Sequence, residues 1–308
     1  MDISGNRHRT IKDYLFLALK GCCMGAADIV PGVSGGTMAF ILGIYQELIA
    51  SIRSFDLNFL RLFCGFRFRE ALACVSWKFL ATVGLGILTA VFSLARFIEW
   101  LLENQPVLIW SFFLGLILGS VVTVGRRMEK WSPVLLVWSA AGAAAAYVVT
   151  GMVPLQTPDT EWSLFISGAV AICAMILPGI SGAFILVLLG KYHYILKAVN
   201  DHDFMALVWV AVGACTGLAA FSRLLNWLFT RYHDIAIAIL AGLMAGSLRK
   251  VWPWKEVTRT VVDSHGRIID LAYVNILPEC WNAELITATV LVSAGLVVVL
   301  VMDYLGEV

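Results

Sequence analysis

The stretch DIVPGVSGGTMAFILGIYQELI, Asp28 to Ile49, sets proline, glycines, serine and an acid inside an apolar segment. A helix crossing lipid avoids such a run, because freed backbone N–H and C=O groups find no partners in hydrocarbon. A second stretch, ILPGISGAFILVLLGKYHYIL (Ile176 to Leu196), repeats the device. Pro31-Gly32-Val33-Ser34-Gly35 aligns with Pro178-Gly179-Ile180-Ser181-Gly182, and Gly43 and Tyr45 align with Gly190 and Tyr192 at the same offset. Further on, Arg96 and Trp100 align with Arg223 and Trp227, and Gly115, Gly119 and Ser120 with Gly242, Gly246 and Ser247. The chain reads as a duplication.

Composition fixes the environment. Of 308 residues, 60% are hydrophobic and only 14% charged, with a mean hydropathy of +0.86. A soluble domain carries about 25% charge, so the expected class is an all-α integral membrane protein. A net charge of +1 gives no reason to expect a nucleic-acid partner. The seven cysteines lack metal-ligand spacing and read as packing residues. The first apolar run, Tyr14 to Ala26, is interrupted by Lys20 and has no small-residue cleavage site, so it is expected to stay uncleaved.

Working outward, residues 1–155 form the first predicted repeat. It holds a re-entrant hairpin at about 11–50, an amphipathic basic connector at 51–78, and spans at 74–102, 106–124 and 132–150. Residues 156–308 form the second, with a re-entrant hairpin at about 162–199, spans at 204–230, 234–250 and 284–304, and a polar loop at 251–283 suited to a small hairpin around SHGR. Three spans separate the two broken segments, so the repeats are expected to be inverted, as in secondary transporters. Thirteen Lys and Arg fall on the side of the N-terminus and seven on the other, which puts the N-terminus in the cytoplasm.

The broken segments suggest chemistry. Pro31-Gly32 and Pro178-Gly179 end one half-helix, and the residues after them open another, whose first N–H groups face outward with positive macrodipole behind them. Ser34, Gly35, Gly36 and Thr37, with Ser181 and Gly182, are therefore candidate ligands for a phosphate or similar anion. The plainer alternative is a tight turn packed by glycines. No Gly-Lys-Ser/Thr follows, so this is not a nucleotide-binding P-loop. Arg96 and Arg223 lie well inside apolar segments and are candidate paired phosphate ligands. For them the alternative is snorkelling, or an ion pair of Arg96 with Glu99. Asp28 has Met175 as its counterpart, and an acid without a symmetry mate is a candidate carrier of a coupled ion, or else a helix cap. Glu47, opposite Tyr194, is a weaker candidate for ion coupling. No catalytic constellation or metal motif is present in the sequence.

GAADIVPGVSGGTMAFILGIYQELI (Gly25–Ile49) and ILPGISGAFILVLLGKYHYIL closely resemble the two signatures of a bacterial membrane family once catalogued as a domain of unknown function and now described as the polyprenyl-phosphate transporters, PopT. The resemblance covers nearly the whole chain. It implies a translocase that returns undecaprenyl phosphate, the lipid carrier for peptidoglycan and other envelope polymers, from the outer to the inner leaflet of the cytoplasmic membrane. Site roles transfer to the matching positions Asp28 to Thr37 and Pro178 to Gly182. The implied partners are a polyprenyl-phosphate lipid and the membrane, with oligomeric state left open. No cofactor or metal is implied. A phosphate monoester carries about −1.5 to −2 charges, and moving it inward opposes the potential by roughly 2.3 kcal/mol per charge per 100 mV. Co-transported H+ or Na+ would offset that. Two alternatives remain: a lipid pyrophosphate phosphatase, whose loop resembles PGxSRS with Gly35 standing at the arginine, and a small-anion channel or exchanger.

Overall fold

The computed structural model describes residues 9–30, 34–55, 57–126, 128, 131–155, 157–262, 268–278 and 283–306. Pro31 and Gly32, expected to break the first helix, lie outside the described residues, as do the SHGR positions. Three helices make up the first broken segment: α1 (Ile11–Ile29), α2 (Gly35–Ile41) and α3 (Tyr45–Arg53). Short α4 (Leu57–Cys64) and α5 (Phe68–Ala73) follow, then long α6 (Trp77–Asn104), α7 (Pro106–Arg126) and α8 (Pro133–Thr150). The order then recurs as α9 (Glu161–Ile176), α10 (Gly182–Leu188), α11 (Tyr192–Asn200), α12 (Phe204–Arg231), α13 (His233–Val251) and α14 (Ala283–Gly306). Between α13 and α14 lie strands β1 (Lys255–Val262) and β2 (Ile268–Asn275), paired antiparallel from Lys255 opposite Asn275 to Val262 opposite Ile268. Among the described residues this hairpin is the departure from an otherwise all-helical pattern.

Five of the helices, α6, α7, α8, α12 and α14, are long and apolar enough to cross a membrane, and two further bent pairs are apolar enough together. The protein is a multi-pass membrane protein. The bent pairs are α2 with α3, at 119°, and α10 with α11, at 105°. Each bend uses the same cap. Gly43 and Gly190 sit at φ +71° and +69°, left-handed backbone that a residue with a Cβ adopts only at a cost. Beyond each, the chain folds back so that the Ile44 N–H donates to the Ala39 carbonyl at 3.0 Å, and the Lys191 N–H to the Leu186 carbonyl at 2.8 Å. Both are Schellman closures, which satisfy the last carbonyls of a short helix without water.

Four helix pairs pack through small residues spaced by four. Gly21 and Gly25 of α1 meet Val83 and Ile87 of α6, and Gly213 and Gly217 of α12 meet Phe165 and Ala169 of α9. Gly115 and Gly119 of α7 meet Val292 and Leu296 of α14, while Gly242 and Gly246 of α13 meet Ser139 and Ala143 of α8. Numbers rise together in every pair, so each pair runs parallel. The approach is very close: a Cβ on Gly115 would stand 2.0 Å from the Val292 carbonyl oxygen. Lipid offers no hydrophobic drive between helices, and such backbone contact supplies dispersion instead. Two of the seams join helices of the same half, and two exchange partners between halves.

A buried lysine helps to fasten the second broken segment. Lys191, at 0% exposure, donates to the carbonyls of Thr157 at 2.8 Å and Pro158 at 2.7 Å and pairs with the Asp159 carboxylate. It ties the start of α11 to the connector between α8 and α9. Lys191→Met is expected to leave those carbonyls without donors and to cost about 2–4 kcal/mol. Thermal unfolding in detergent measures this, and an unchanged midpoint would remove Lys191 from the account.

Candidate functional site

The two broken segments meet. Each long helix ends in extended backbone, at Val30 after α1 and at Leu177 after α9. Each short helix begins behind an extended serine, Ser34 (φ −123°, ψ 134°) and Ser181 (φ −93°, ψ 132°). The local geometry is thus the same twice. Between the copies run two direct hydrogen bonds. Ser34 Oγ donates to the Met175 carbonyl at 3.1 Å, and the Gly179 N–H donates to Thr37 Oγ1 at 2.8 Å. Gly36 faces the same wall, where a Cβ would stand 2.6 Å from the Ile176 carbonyl oxygen. Gly179 in turn lies against Ser247 and Leu243 of α13, so the second loop is backed by a central helix.

Asp28 belongs to this junction. Its Oδ1 accepts the Gly35 N–H at 2.6 Å, and the Gly36 N–H is taken by Ser34 Oγ at 3.1 Å. The acid therefore occupies the place where an incoming anion would bond to Gly35. Its counterpart Met175 is exposed, and Ser181 makes no capping bond, so the two segments differ in charge although the residues flanking each break have similar backbone. Ser34 and Thr37 are almost wholly buried, and Gly35, Gly36, Pro178, Gly179 and Gly182 are buried. Their hydroxyls, expected as phosphate donors, serve in this arrangement to fasten one loop to the other.

The remaining candidates lie elsewhere. Glu47 is paired with Arg9 at 2.6 Å, whose guanidinium also covers the Phe79 ring. Arg96 and Arg223 are both exposed. Arg223 donates to the Ala219 carbonyl of its own helix at 3.1 Å, and among the described residues Arg96 makes no hydrogen bond or ion pair, with Glu99 or otherwise. Counting along the parallel seams from Gly25 opposite Ile87 and Gly217 opposite Ala169, both arginines fall near the depth of the breaks. They stand on the outward surface of α6 and α12, not at the junction.

Sequence reasoning passed over three lysines that the fold gathers near the second hairpin: Lys191, Lys250 and Lys255. The signal was the run KVWPWK (Lys250–Lys255), where aromatic residues bracket two cations. Tyr45 was seen only as a repeat marker. Its ring is wedged between Phe40 and Phe229, and its hydroxyl is buried with no hydrogen-bond partner among the described residues. Among the described residues no group of three or more His, Cys, Asp or Glu is placed to hold a metal.

Comparison with known proteins agrees with this architecture. Residues 24–269 match the family described as VCA0040-like, undecaprenyl phosphate translocase-like. A polyprenyl-phosphate transporter of Vibrio cholerae serotype O1 is 42% identical over 301 residues, covering 96% of this chain and 98% of its own. A polyprenyl-phosphate transporter of Staphylococcus aureus is 32% identical over 253 residues, 76% of this chain and 85% of its own. No solved structure matches. These relatives are named as transporters, not enzymes, and a family match across both broken segments leaves one assignment: the chain belongs to the VCA0040-like, undecaprenyl phosphate translocase-like family.

Proposed function

We propose that this protein moves undecaprenyl phosphate, or a close polyprenyl phosphate, from the outer to the inner leaflet of the bacterial cytoplasmic membrane, with H+ or Na+ entering alongside. The substrate class follows the names of the relatives. The observation that best supports a transport site at the two breaks is their mutual lacing, Ser34 to Met175 and Gly179 to Thr37, in the buried centre. Irregular backbone is tolerated at membrane depth where it is enclosed by protein or lines a cavity, and paired broken helices of that kind are the usual binding sites of secondary transporters.

The helix directions support inverted halves. α1 runs parallel to α6, which turns back through a single residue into α7, and α7 runs parallel to α14. α9 runs parallel to α12, which turns back through a single residue into α13, parallel to α8. If α7 and α8 cross in opposite senses, as consecutive spans do, α1 and α9 point in opposite directions. With the N-terminus in the cytoplasm, as the Lys and Arg distribution favours, the β-hairpin lies outside.

Coupling follows from competition at Gly35. A phosphate oxygen and the Asp28 carboxylate both seek the same N–H, and two anions in low dielectric repel. A proton or Na+ on Asp28 removes the repulsion and frees the donor. The Ser34 O–H and the Gly179 N–H then exchange their bonds between the two segments for bonds to phosphate. Each such bond is charge-assisted and about twice as strong as the neutral one it replaces.

Proteoliposomes with a labelled polyprenyl phosphate and a membrane-impermeant quencher test this. Ion-gradient-dependent loss of label from one leaflet is the expected result, with no phosphate released from the pyrophosphate lipid. Gradient-independent flux of small anions in vesicles lacking polyprenyl lipid would instead make the protein an anion channel.

A further inference from the structure

We infer that Lys250 and Lys255 form a receiving site for a phosphate group at the C-terminal end of α13, beside the second broken segment and apart from the junction of the two loops. As a landing point for the lipid headgroup it rests on the function proposed above. As a phosphate site it does not.

Five elements converge there. The Lys255 ammonium lies 3.9 Å from the centre of the Trp110 ring at the start of α7, and donates to the Lys250 carbonyl at 2.6 Å. The Lys250 ammonium lies 4.6 Å from the Phe184 ring of α10 and 5.8 Å from the Tyr273 ring of β2. Both lysines are partly buried. Among the described residues neither has a carboxylate partner. Glu256, next to Lys255 in β1, is exposed, and two other nearby charges have contacts of their own. Arg249 covers the Tyr147 ring at 4.4 Å, and Glu284 accepts from Trp254 Nε1 at 3.2 Å.

Two ammonium groups brought together away from water normally carry a paired anion, because burial disfavours each charge and each disfavours the other. Aromatic faces attract a cation but do not neutralise it. An ammonium has three donors, so Lys255 keeps at least one after its carbonyl bond and its ring contact, and Lys250 keeps all three. Two point charges with free donors suit a phosphate monoester, which carries about −1.5 to −2 charges. The walls Trp110 and Phe184 suit the first apolar carbons behind such a headgroup. Burial, and then the charge of Lys250, push Lys255 down to about 7, so near neutral pH it is poised to take up a proton when an anion arrives.

The test uses the full chain in detergent with two probes, inorganic phosphate and a polyprenyl phosphate, and the uncharged polyprenyl alcohol as control. Lys250→Met and Lys255→Met keep length and packing, while Lys250→Arg and Lys255→Arg keep charge. Reductive 13C-methylation of the wild-type protein reads the Lys255 titration directly by NMR. The inference expects both phosphates to bind, each Met variant to lose about tenfold or more in affinity, and the Arg variants to stay within about threefold. It also expects the Lys255 midpoint to rise when either phosphate is added, and not with the alcohol. Lysine-dependent binding of inorganic phosphate without binding of the lipid would uphold the site and overturn the proposed substrate. Lipid binding that is equal in wild type and Met variants, with an unmoved Lys255 midpoint, would overturn the site and leave the transport reading standing. No binding of either phosphate and no shift would overturn the site as well.

Discussion

Gly36→Val is expected to abolish transport and to lower stability by about 3 kcal/mol, the upper part of the range for overpacking a filled core. The first added carbon would stand 2.6 Å from the Ile176 carbonyl oxygen and 2.9 Å from that of Met175. Both are backbone atoms at the end of α9, so no side chain can swing aside. The loops must part, and the hydrogen bonds Ser34 to Met175 and Gly179 to Thr37 part with them. Gly84→Ala in α6 is the control, because nothing lies within 4 Å of its added carbon. There a helical glycine gives way to a better helix former, and stability is expected to hold or rise by about 0.5–1 kcal/mol. Thermal unfolding in detergent, followed by reconstitution, reads both. If Gly36→Val transports at the wild-type rate, the contact between the loops has no part in the mechanism.

Asp28→Asn is expected to keep the fold and reduce ion-driven transport by about tenfold or more, with the residual rate independent of the ion gradient. An amide oxygen can still accept the Gly35 N–H that the carboxylate accepts at 2.6 Å, so the cap survives while the charge is lost. Asp28→Leu removes both, and leaves a buried N–H without an acceptor at a cost of about 1–3 kcal/mol. The pair of variants separates a capping role from a coupling role. Unfolding midpoints report the first, and initial rates with and without an imposed H+ or Na+ gradient report the second. Full ion-dependent transport by Asp28→Asn would reduce Asp28 to a cap.

Much of the fold was legible because a Pro-Gly pair followed by Ser-Gly is rare inside an apolar helix. Their recurrence with Gly43 and Gly190 in register marks two turns that the structure closes with the same left-handed cap. Five long apolar segments needed only counting, while the expected span at 234–250 forms α13, whose Asp234, Arg249 and Lys250 keep it outside that set. What faces what was not legible. Gly115 and Gly242 were visible as a repeated pair, yet their partners are Val292 and Ser139, on helices far along the chain. Arg96 and Arg223 were visible as cations well inside apolar segments. Their outward direction depends on which side of α6 and α12 is covered by α1 and α9, and sequence spacing does not give that. Lys250 and Lys255 entered the reading only as charges that set orientation. Their significance comes from Trp110 and Phe184, which reach them from α7 and α10. Asp28 was singled out for lacking a mate, but its bond to Gly35 joins residues on either side of the break, and only the bend reveals it.

The exchange of partners between halves has a consequence for biosynthesis. α7 and α8 leave the ribosome with glycine and alanine faces that match nothing yet made, since α13 and α14 are the last helices synthesised. The first half therefore waits in the bilayer, half-assembled, until residues 233–306 arrive. A nascent chain arrested after α12 would expose those faces to quality-control proteases and insertion factors, whereas separately expressed halves would rescue each other by completing the same seams.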